Sequence, residues 1–299
     1  MKTLEAFLAK EEGPVVARVA ELAAEWGLFE LQKALVAAFE RLKEGGSDLD
    51  PQCWGKLALI KALQSLGWPD ADVYVSGCRT VQPEPVWGGK EDSAPALRAK
   101  SALALAECPG VSLERATDVL VRLLTDPAWN VRAGAAQAIA GLGYAPSASL
   151  LKLCVLVGDS EPRVIGVCLD GLLHLLGKEA VPFVQEVLET PGAAGLEAIC
   201  ALAASSVPEA VQAASKAWDK FPEARSRKAI IASFASSPTP EATEFLLSLL
   251  AGERGNALEA LSALMPKLQE PSLRERAEKA ISSNKNRALQ DETMEMLEQ

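Results

Sequence analysis

Residues that commonly carry catalysis or metal binding are sparse in this chain. It has a single histidine, His174, which lies in the run LLHLLG. A histidine flanked by leucines on a helix is typical of a packed side chain, and a catalytic base is the alternative. One histidine excludes most His-rich zinc sites and leaves no Ser-His-Asp arrangement except one built on His174. The sequence therefore predicts no catalytic residue, no metal and no cofactor, and it favours a protein that is not an enzyme.

Glycines and cysteines give equally weak signals for chemistry. Gly88-Gly89 lacks the GxGxxG and GxxxxGK patterns of phosphate-binding loops. The cysteines are scattered, form no CxxC pair and fall mostly within helical apolar patterns, which is typical of small buried residues in a reducing cytosol. A disulfide or metal role is the alternative. These cysteines are Cys53, Cys78, Cys108, Cys154, Cys168 and Cys200.

One segment stands apart from the helical pattern around it. Residues 68–91 include TVQPEPVWGGK, which cannot be helical because two prolines and two glycines interrupt it. Long loops of this kind are usually functional or disordered. Aromatic and charged residues there suit a binding surface; the alternatives are that Trp87 folds back to cover a gap between repeats, or that the loop has a small-molecule or catalytic role. The candidates for partner binding are Tyr74, Arg79, Glu84, Trp87 and Lys90.

Mixed charges on predicted helices provide a second candidate surface. Extended curved faces are the usual binding surface of helical repeat proteins, although most such positions are simply solvated helix surface. Mixed charge suits a protein or peptide better than nucleic acid. Trp54, Trp129 and Trp218 are side chains that could stack on bases, but core packing is the commoner role of tryptophan. The candidates on these helices are Arg115, Asp118, Arg122 and Lys152.

A repeating helical unit positions these residues. In DPAWNVRAGAAQAIAGLG, residues 126–143, Asp126 and Pro127 suit a helix start, apolar residues recur every three or four positions, and Gly143 suits a helix end. Asp92, Asp126 and Asp159 follow one another at intervals of 34 and 33 residues. We expect helix pairs at this period over residues 50–283, with 68–91 inserted, a helical cap at 1–49 and a C-terminal cap or tail at 284–299.

Composition excludes several classes of protein. The net charge is -10, with 49% hydrophobic and 5% aromatic residues. An acidic chain without a basic region is unsuited to many phosphate contacts, so nucleic-acid binding is unlikely on this evidence. No signal peptide and no membrane span are recognisable, and we expect a cytoplasmic protein. The sequence does not indicate an oligomeric state.

The unit resembles a known repeat. The pattern D-x-x-x-x-V-R-x-x-A-A-x-A-L/I-x-x-L-G is similar to the short HEAT-like repeat of phycobilisome lyases, fully in residues 126–143 and partly in 92–106 and 159–177. The resemblance implies an all-α, right-handed α-solenoid whose second helices line the concave face. Because repeat Asp and Arg residues commonly pair between adjacent repeats in such families, it also implies that Asp126 and Arg132, the structural repeat pair, are not a binding site. It does not fix function, because HEAT-like families include scaffolds, adaptors, chromophore-attachment proteins, a metal-dependent hydroxylase and DNA glycosylases.

These observations favour a non-enzymatic scaffold or adaptor that binds a protein or peptide through the concave face and the 68–91 insert. The alternative is an enzyme or a lyase-like accessory protein with a small-molecule pocket at the insert. A third possibility is a nucleic-acid-binding HEAT-like protein. The hydroxylase function is excluded, because its iron site needs several His-Glu pairs and this chain has one histidine.

Overall fold

The chain folds almost entirely into helices that pack as neighbouring pairs. The computed structural model describes residues 1–298; Gln299, the last residue of the predicted C-terminal cap or tail, lies outside the described residues. Contacts divide the chain into two units, residues 1–157 and residues from 158 onward. An all-α fold of stacked helix pairs is confirmed, with one short β-hairpin as the exception.

The first unit contains nine of the described helices and the hairpin. They are α1 (Lys2–Lys10), α2 (Gly13–Glu25), α3 (Gln32–Leu49), α4 (Trp54–Ser65), α5 (Asp72–Cys78), β1 (Pro83–Val86), β2 (Gly89–Asp92), α6 (Pro95–Ala106), α7 (Leu113–Leu123), α8 (Trp129–Gly141) and α9 (Ala148–Val157). Helix α3 is kinked where Gly46 adopts φ 56° and ψ -142°.

The second unit contains the remaining described helices. They are α10 (Pro162–Leu176), α11 (Val181–Leu188), α12 (Ala193–Ala204), α13 (Pro208–Ala217), α14 (Ala224–Ser236), α15 (Pro240–Leu250), α16 (Arg254–Leu264), α17 (Pro271–Ser282) and α18 (Arg287–Glu298). Proline in the first turn of α10, α11, α13, α15 and α17 fits because that turn needs no N–H donor. In α18 the predicted apolar residues Leu289 and Leu297 are buried.

The repeat aspartates do not occupy the N-cap positions of the helices. Their side chains instead accept backbone N–H groups in the turns that precede the helices. Asp92 accepts the N–H of Ala94, and Asp126 accepts the N–H of Ala128, at 3.0 and 2.9 Å. Asp159 accepts the N–H of Glu161 at 2.8 Å. The predicted start at Asp126 was therefore early, because α8 begins at Trp129. Each aspartate closes the turn that leads into its helix.

Small residues allow the first helices of successive pairs to approach closely. A Cβ added to Gly134 on α8 would lie 3.1 Å from the Cβ of Ala99 on α6. Helices α6 and α8, and likewise α10 and α12, pack more closely than the second helices α5 and α7 or α11 and α13. Within each unit the first helices therefore form the more closely packed layer. That second helices line a concave face stays a prediction.

Candidate functional site

The inserted segment forms a two-stranded hairpin whose tip is Trp87-Gly88. Val86 pairs with Gly89, Pro85 with Lys90 and Glu84 with Glu91 in antiparallel register. Gly88 has φ +94°, a conformation that favours glycine and closes the tight turn. The side chain of Trp87 is fully exposed, at 104% of its reference area. The prediction that this stretch is not helical is confirmed, whereas the alternative that Trp87 covers a gap between repeats is wrong.

The first anchor of the hairpin is the buried carboxylate of Glu84, which is only 8% exposed. It accepts hydrogen bonds from the backbone N–H and side-chain amide of Gln52 at 2.7 and 3.0 Å. The Gln82 amide and the Ser93 hydroxyl donate to it at 2.7 and 2.5 Å. Burial alone raises the pKa of Glu84, but these donors outweigh burial and hold the pKa below its ordinary value. The two Gln52 donors fix the hairpin to the turn before α4, while the Gln82 and Ser93 donors hold the carboxylate at the base of the hairpin itself.

That turn has an unusual backbone, because Gln52 and Cys53 adopt φ of 58° and 54°. Left-handed conformations cost non-glycine residues about 1–3 kcal/mol each and persist where the surroundings fix them. The bonds from Gln52 to Glu84 provide such fixation on one side, and Asp50 provides it on the other. The Asp50 carboxylate accepts the N–H groups of Gly55 and Lys56 at 2.7 and 3.0 Å.

The second anchor is Arg98 on α6, whose side chain is 4% exposed. It donates to Asp92 at 2.6 Å at the end of β2, and to the carbonyl oxygen of Thr80 at 3.0 Å ahead of β1. Two further bonds, at 2.8 and 3.0 Å, hold both oxygens of Asp126. Asp92 also accepts the N–H of Gln82 at 2.9 Å. Arg98 therefore ties both ends of the hairpin to the repeat that follows.

A cleft of about 690 Å³ lies beside the base of the hairpin. Its walls come from α3, α5, the segment 79–82 that leads into β1, and Arg115 of α7. Lys43 donates to Glu40 and to the Ser76 hydroxyl, both at 2.7 Å. Arg115 pairs with Asp72. Arg79 is exposed, and its guanidinium forms no hydrogen bond or ion pair with any residue of the described chain. The cleft is thus lined by three cations and one carboxylate.

The predicted partner-binding residues divide into exposed and buried groups. Trp87, Arg79, Lys90 and Arg115 are exposed on or beside the hairpin. Tyr74 is 1% exposed, and its hydroxyl donates to the carbonyl oxygen of Trp68 at 3.4 Å, so its predicted binding role is wrong. Glu84 is likewise too buried to contact a partner, and anchors the hairpin instead.

Apart from Arg115, the predicted positions on the second helices do not line the cleft beside the hairpin. Asp118 and Arg122 are exposed on α7, with their charged groups 3.9 Å apart. Lys152 is half-buried on α9. Of the predicted structural residues, Arg132 donates to the backbone carbonyl oxygens of Asp126 and Pro127, while Arg98 from the preceding repeat holds the Asp126 carboxylate.

Lys43, Ser47, Asp50, Lys56 and Arg98 were not predicted from the sequence. Only Arg98 carried a signal, because it occupies the repeat position that Arg132 occupies one copy later. Lys56 forms an ion pair with Asp50 at 3.0 Å in which both side chains are fully buried. The burial of an aspartate or a lysine cannot be predicted from the residue type, since charged residues are usually solvated.

Residues considered for catalysis offer no assembled centre among residues 1–298. His174 is exposed, so the expectation that it packs is wrong. Among residues 1–298 no disulfide joins any of the six cysteines, and burial raises the pKa of Cys53 and raises that of Cys78 to about 12, which disfavours reactive thiolates at these two positions. No cluster of His, Cys, Asp or Glu in the described part of the chain is able to hold a metal ion. Within the same residues, no helix is long and apolar enough to cross a membrane.

Asp170 on α10 is a carboxylate whose pKa is raised. The residue is exposed, yet the surrounding helices restrict the hydration of its carboxylate and raise its pKa to about 6, and the charge of Glu197 on α12 adds to the shift. The folded state thus binds a proton at a higher pH than an ordinary aspartate with pKa 3.8. From this group, stability falls as pH rises from about 4 to about 6.

We expect Asp170→Asn to raise the melting temperature at pH 7.5, because the variant removes a carboxylate that the folded state disfavours in its charged form. The gain should vanish at pH 4, where the wild-type group is protonated. Differential scanning calorimetry of both proteins at pH 4, 5, 6 and 7.5 measures this difference. Asp118→Asn, on the exposed surface of α7, is the control. A gain of equal size at pH 4 and pH 7.5 would contradict the titration of Asp170 as its cause.

The fold and the hairpin define a helical repeat protein that carries an exposed arm. A family model described as HEAT repeats matches residues 89–164, the stretch from β2 to the start of α10. This part of the chain therefore consists of HEAT repeats, and the HEAT-like resemblance is confirmed. Among curated proteins, no sequence matches.

Among solved structures, the chain is similar to the complex of CpcE and CpcF of phycocyanin lyase from a Nostoc species. The sequence identity is 18% and the TM-score is 0.42, over 76% of this chain and 88% of that chain.

Proposed function

We propose that this protein is a protein-binding module that engages its partner through the hairpin, with Trp87 as the anchor residue. The observation that supports the proposal is a tryptophan with no protein cover at the tip of an arm held at Glu84 and Arg98. Large aromatic side chains dominate binding energy when a partner buries them. A fixed arm also reduces the conformational entropy that is lost on binding.

The register of the hairpin restricts how a partner approaches it. Val86 and Gly89 flank a two-residue turn and form a hydrogen-bonded pair. Hydrogen-bonded and non-hydrogen-bonded pairs alternate along an antiparallel ladder, so the next pair, Pro85 and Lys90, directs its backbone N–H and C=O positions away from the partner strand. Pro83 lies two residues before Pro85, so it also faces outward. Proline has no N–H, and β1 therefore presents an edge without donors at these positions. The arm thus favours contact through its tip over strand addition at β1.

The alternative of a catalytic pocket at the insert has weaker support. Such a pocket requires carboxylates that converge on Trp87 in a closed cavity. Glu84, the carboxylate of β1, does not face a cavity at Trp87, because its oxygens accept hydrogen bonds from Gln52, Gln82 and Ser93. Trp87 itself is open to solvent. Nucleic-acid binding is opposed by the net charge of -10.

A capture experiment with matched variants tests the proposal. Wild type, Trp87→Ala and Trp26→Ala are immobilised, and proteins captured from lysate of the source cells are quantified by mass spectrometry. Trp26 is 60% exposed, but it lies at the end of α2, away from the hairpin residues. We expect a partner that wild type and Trp26→Ala retain and that Trp87→Ala binds at least about 30-fold more weakly, the factor for a hot spot of about 2 kcal/mol.

Folding is checked in the same experiment by melting temperature, which Trp87→Ala should leave unchanged because the ring contacts solvent. A photo-reactive phenylalanine analogue at position 87 should cross-link the same partner, and the analogue at position 26 should not. Equal capture by wild type and Trp87→Ala would refute the hairpin as the binding element.

A further inference from the structure

We propose that the cleft beside the hairpin, lined by Lys43, Arg79 and Arg115, binds an acidic segment of the protein partner. This inference rests on the proposed function, because it assigns the chemistry of the partner at the same surface. Lys43 lies on α3, Arg79 directly follows α5, and Arg115 lies on α7. Each of these residues is 36 positions from the next in the sequence. Their convergence on one cleft is a property of the fold.

The charge of the cleft is opposite to that of the chain as a whole. Its lining includes three cations and one carboxylate, Asp72, whereas the whole chain carries -10. Arg79 is exposed and has no carboxylate partner among residues 1–298. A concave site with an excess of one charge concentrates ligands of the opposite charge. An anionic group is therefore the ligand that this lining suits.

The two existing ion pairs leave their cations available for exchange. The Arg115 and Asp72 side chains are 47% and 73% exposed. Lys43 and Glu40 are 39% and 44% exposed. Such solvated pairs contribute little to stability. A ligand carboxylate can take the place of either one at small cost, and arginine can accept it through two parallel N–H bonds.

Hydroxyl groups and an apolar wall complete the cleft. Ser47 and Ser76 contribute side-chain oxygens, and Val81, whose side chain is 63% exposed, provides apolar surface. Residues 81–83 line the cleft and lead directly into β1. Four strand positions separate Pro83 from Trp87, a span of about 13 Å in extended chain. An extended partner segment that covers Trp87 therefore reaches the cleft with a residue about four positions further along that segment. A peptide contacts Trp87 and the cleft together, whereas a free small anion contacts the cleft alone, so the spacing favours a peptide.

Binding of model peptides to the full chain tests the chemistry without knowledge of the partner. The probes are a fluorescein-labelled peptide of alternating Glu and Ala, its counterpart with Gln in place of Glu, and inorganic phosphate as competitor. Titrations use fluorescence anisotropy with wild type, Arg79→Glu and Arg18→Glu. Arg18→Glu makes the same charge change on α2, where Arg18 pairs only with Glu21 among the described residues.

We expect wild type and Arg18→Glu to bind the Glu peptide at least about 10-fold more tightly than the Gln peptide, with affinity that falls as salt rises. Arg79→Glu should lose at least about 10-fold in affinity for the Glu peptide, because two charges change at the exposed centre of the cleft. Equal binding of the two peptides, no binding at millimolar concentration, or binding of phosphate without the Glu peptide would each overturn the inference.

The partner from the capture experiment separates the two proposals. Loss of that partner by Trp87→Ala together with full retention by Arg79→Glu would overturn the acidic segment and leave the hairpin function standing. Loss by both variants, with retention by Arg18→Glu, supports both. Retention by both variants would overturn the proposed function and this inference together.

Discussion

Replacing Asp50 with alanine should lower the free energy of unfolding by about 3–5 kcal/mol, because the change leaves the buried Lys56 ammonium without its counterion. Both side chains are fully buried, and the ammonium has one other close acceptor, the carbonyl oxygen of Leu42 at 3.3 Å. The change also removes the acceptor of the Gly55 and Lys56 N–H groups at the start of α4. Unsatisfied buried donors of this kind cost about 1–3 kcal/mol each.

The partner variant gives a second, smaller expectation. Lys56→Met removes the buried cation but leaves Asp50 with its two backbone donors, so we expect it to cost less than Asp50→Ala. Equilibrium urea unfolding followed by circular dichroism measures both. Asp48→Ala, two residues before Asp50 and exposed, should change stability by no more than about 0.5 kcal/mol. If Asp50→Ala were no more destabilising than Asp48→Ala, the buried ion pair would not be a stabilising centre of this turn.

The repeat period was readable from sequence because it depends on local signals. Apolar spacing, first-turn proline and terminal glycine mark helices such as α10, which begins at Pro162 and ends before Gly177. Within the insert the same logic identified prolines and glycines that exclude a helix. These features need no knowledge of distant residues, so the all-α class followed from them.

The roles of individual residues in the insert were not readable in this way. Tyr74 and Trp87 are both aromatic residues in a polar stretch, yet one is 1% exposed and the other fully exposed. The difference arises from partners far along the chain, since Glu84 is held by Gln52, 32 positions earlier. Local composition does not encode such contacts. The left-handed backbone at Gln52 and Cys53 is equally non-local, because propensity alone disfavours it.

The repeat aspartates show what the repeat pattern identifies and what it leaves open. The resemblance implied that Asp and Arg pair between adjacent repeats, and Arg98 of the preceding repeat binds both oxygens of the Asp126 carboxylate. The side chain of Arg132, six positions after Asp126, reaches the backbone carbonyl of Asp126. The pairing between successive repeats is therefore made from the earlier arginine to the later aspartate. Sequence spacing identified both positions but did not give the direction of this contact.

Arg98→Ala should therefore destabilise the protein by about 3–5 kcal/mol, since it removes a buried cation from two carboxylates at once. The guanidinium is 4% exposed and makes contacts of 2.6, 2.8 and 3.0 Å with Asp92 and Asp126. Burial by itself raises the pKa of Asp92, but hydrogen bonds from Gln82, Ala94 and Arg98 hold it below the ordinary value. A lowered carboxylate pKa gives stability that is present above the ordinary pKa and lost as pH falls below it.

The variant should accordingly lose part of the stability that wild type has at pH 7, and the difference between the two proteins should shrink toward pH 3. Urea unfolding at pH 7, 5 and 3 measures it. Arg122→Ala is the matched control: Arg122 is 73% exposed, its nearest carboxylate is 3.9 Å away, and a change within about 0.5 kcal/mol is expected. Because Arg98 also holds the Thr80 carbonyl and Asp92 at the two ends of the hairpin, proteolysis within residues 80–92 should accelerate in Arg98→Ala and not in Arg122→Ala. A destabilised variant whose hairpin stays as protected as in wild type would show that Arg98 holds the repeats together without fixing the arm that carries Trp87.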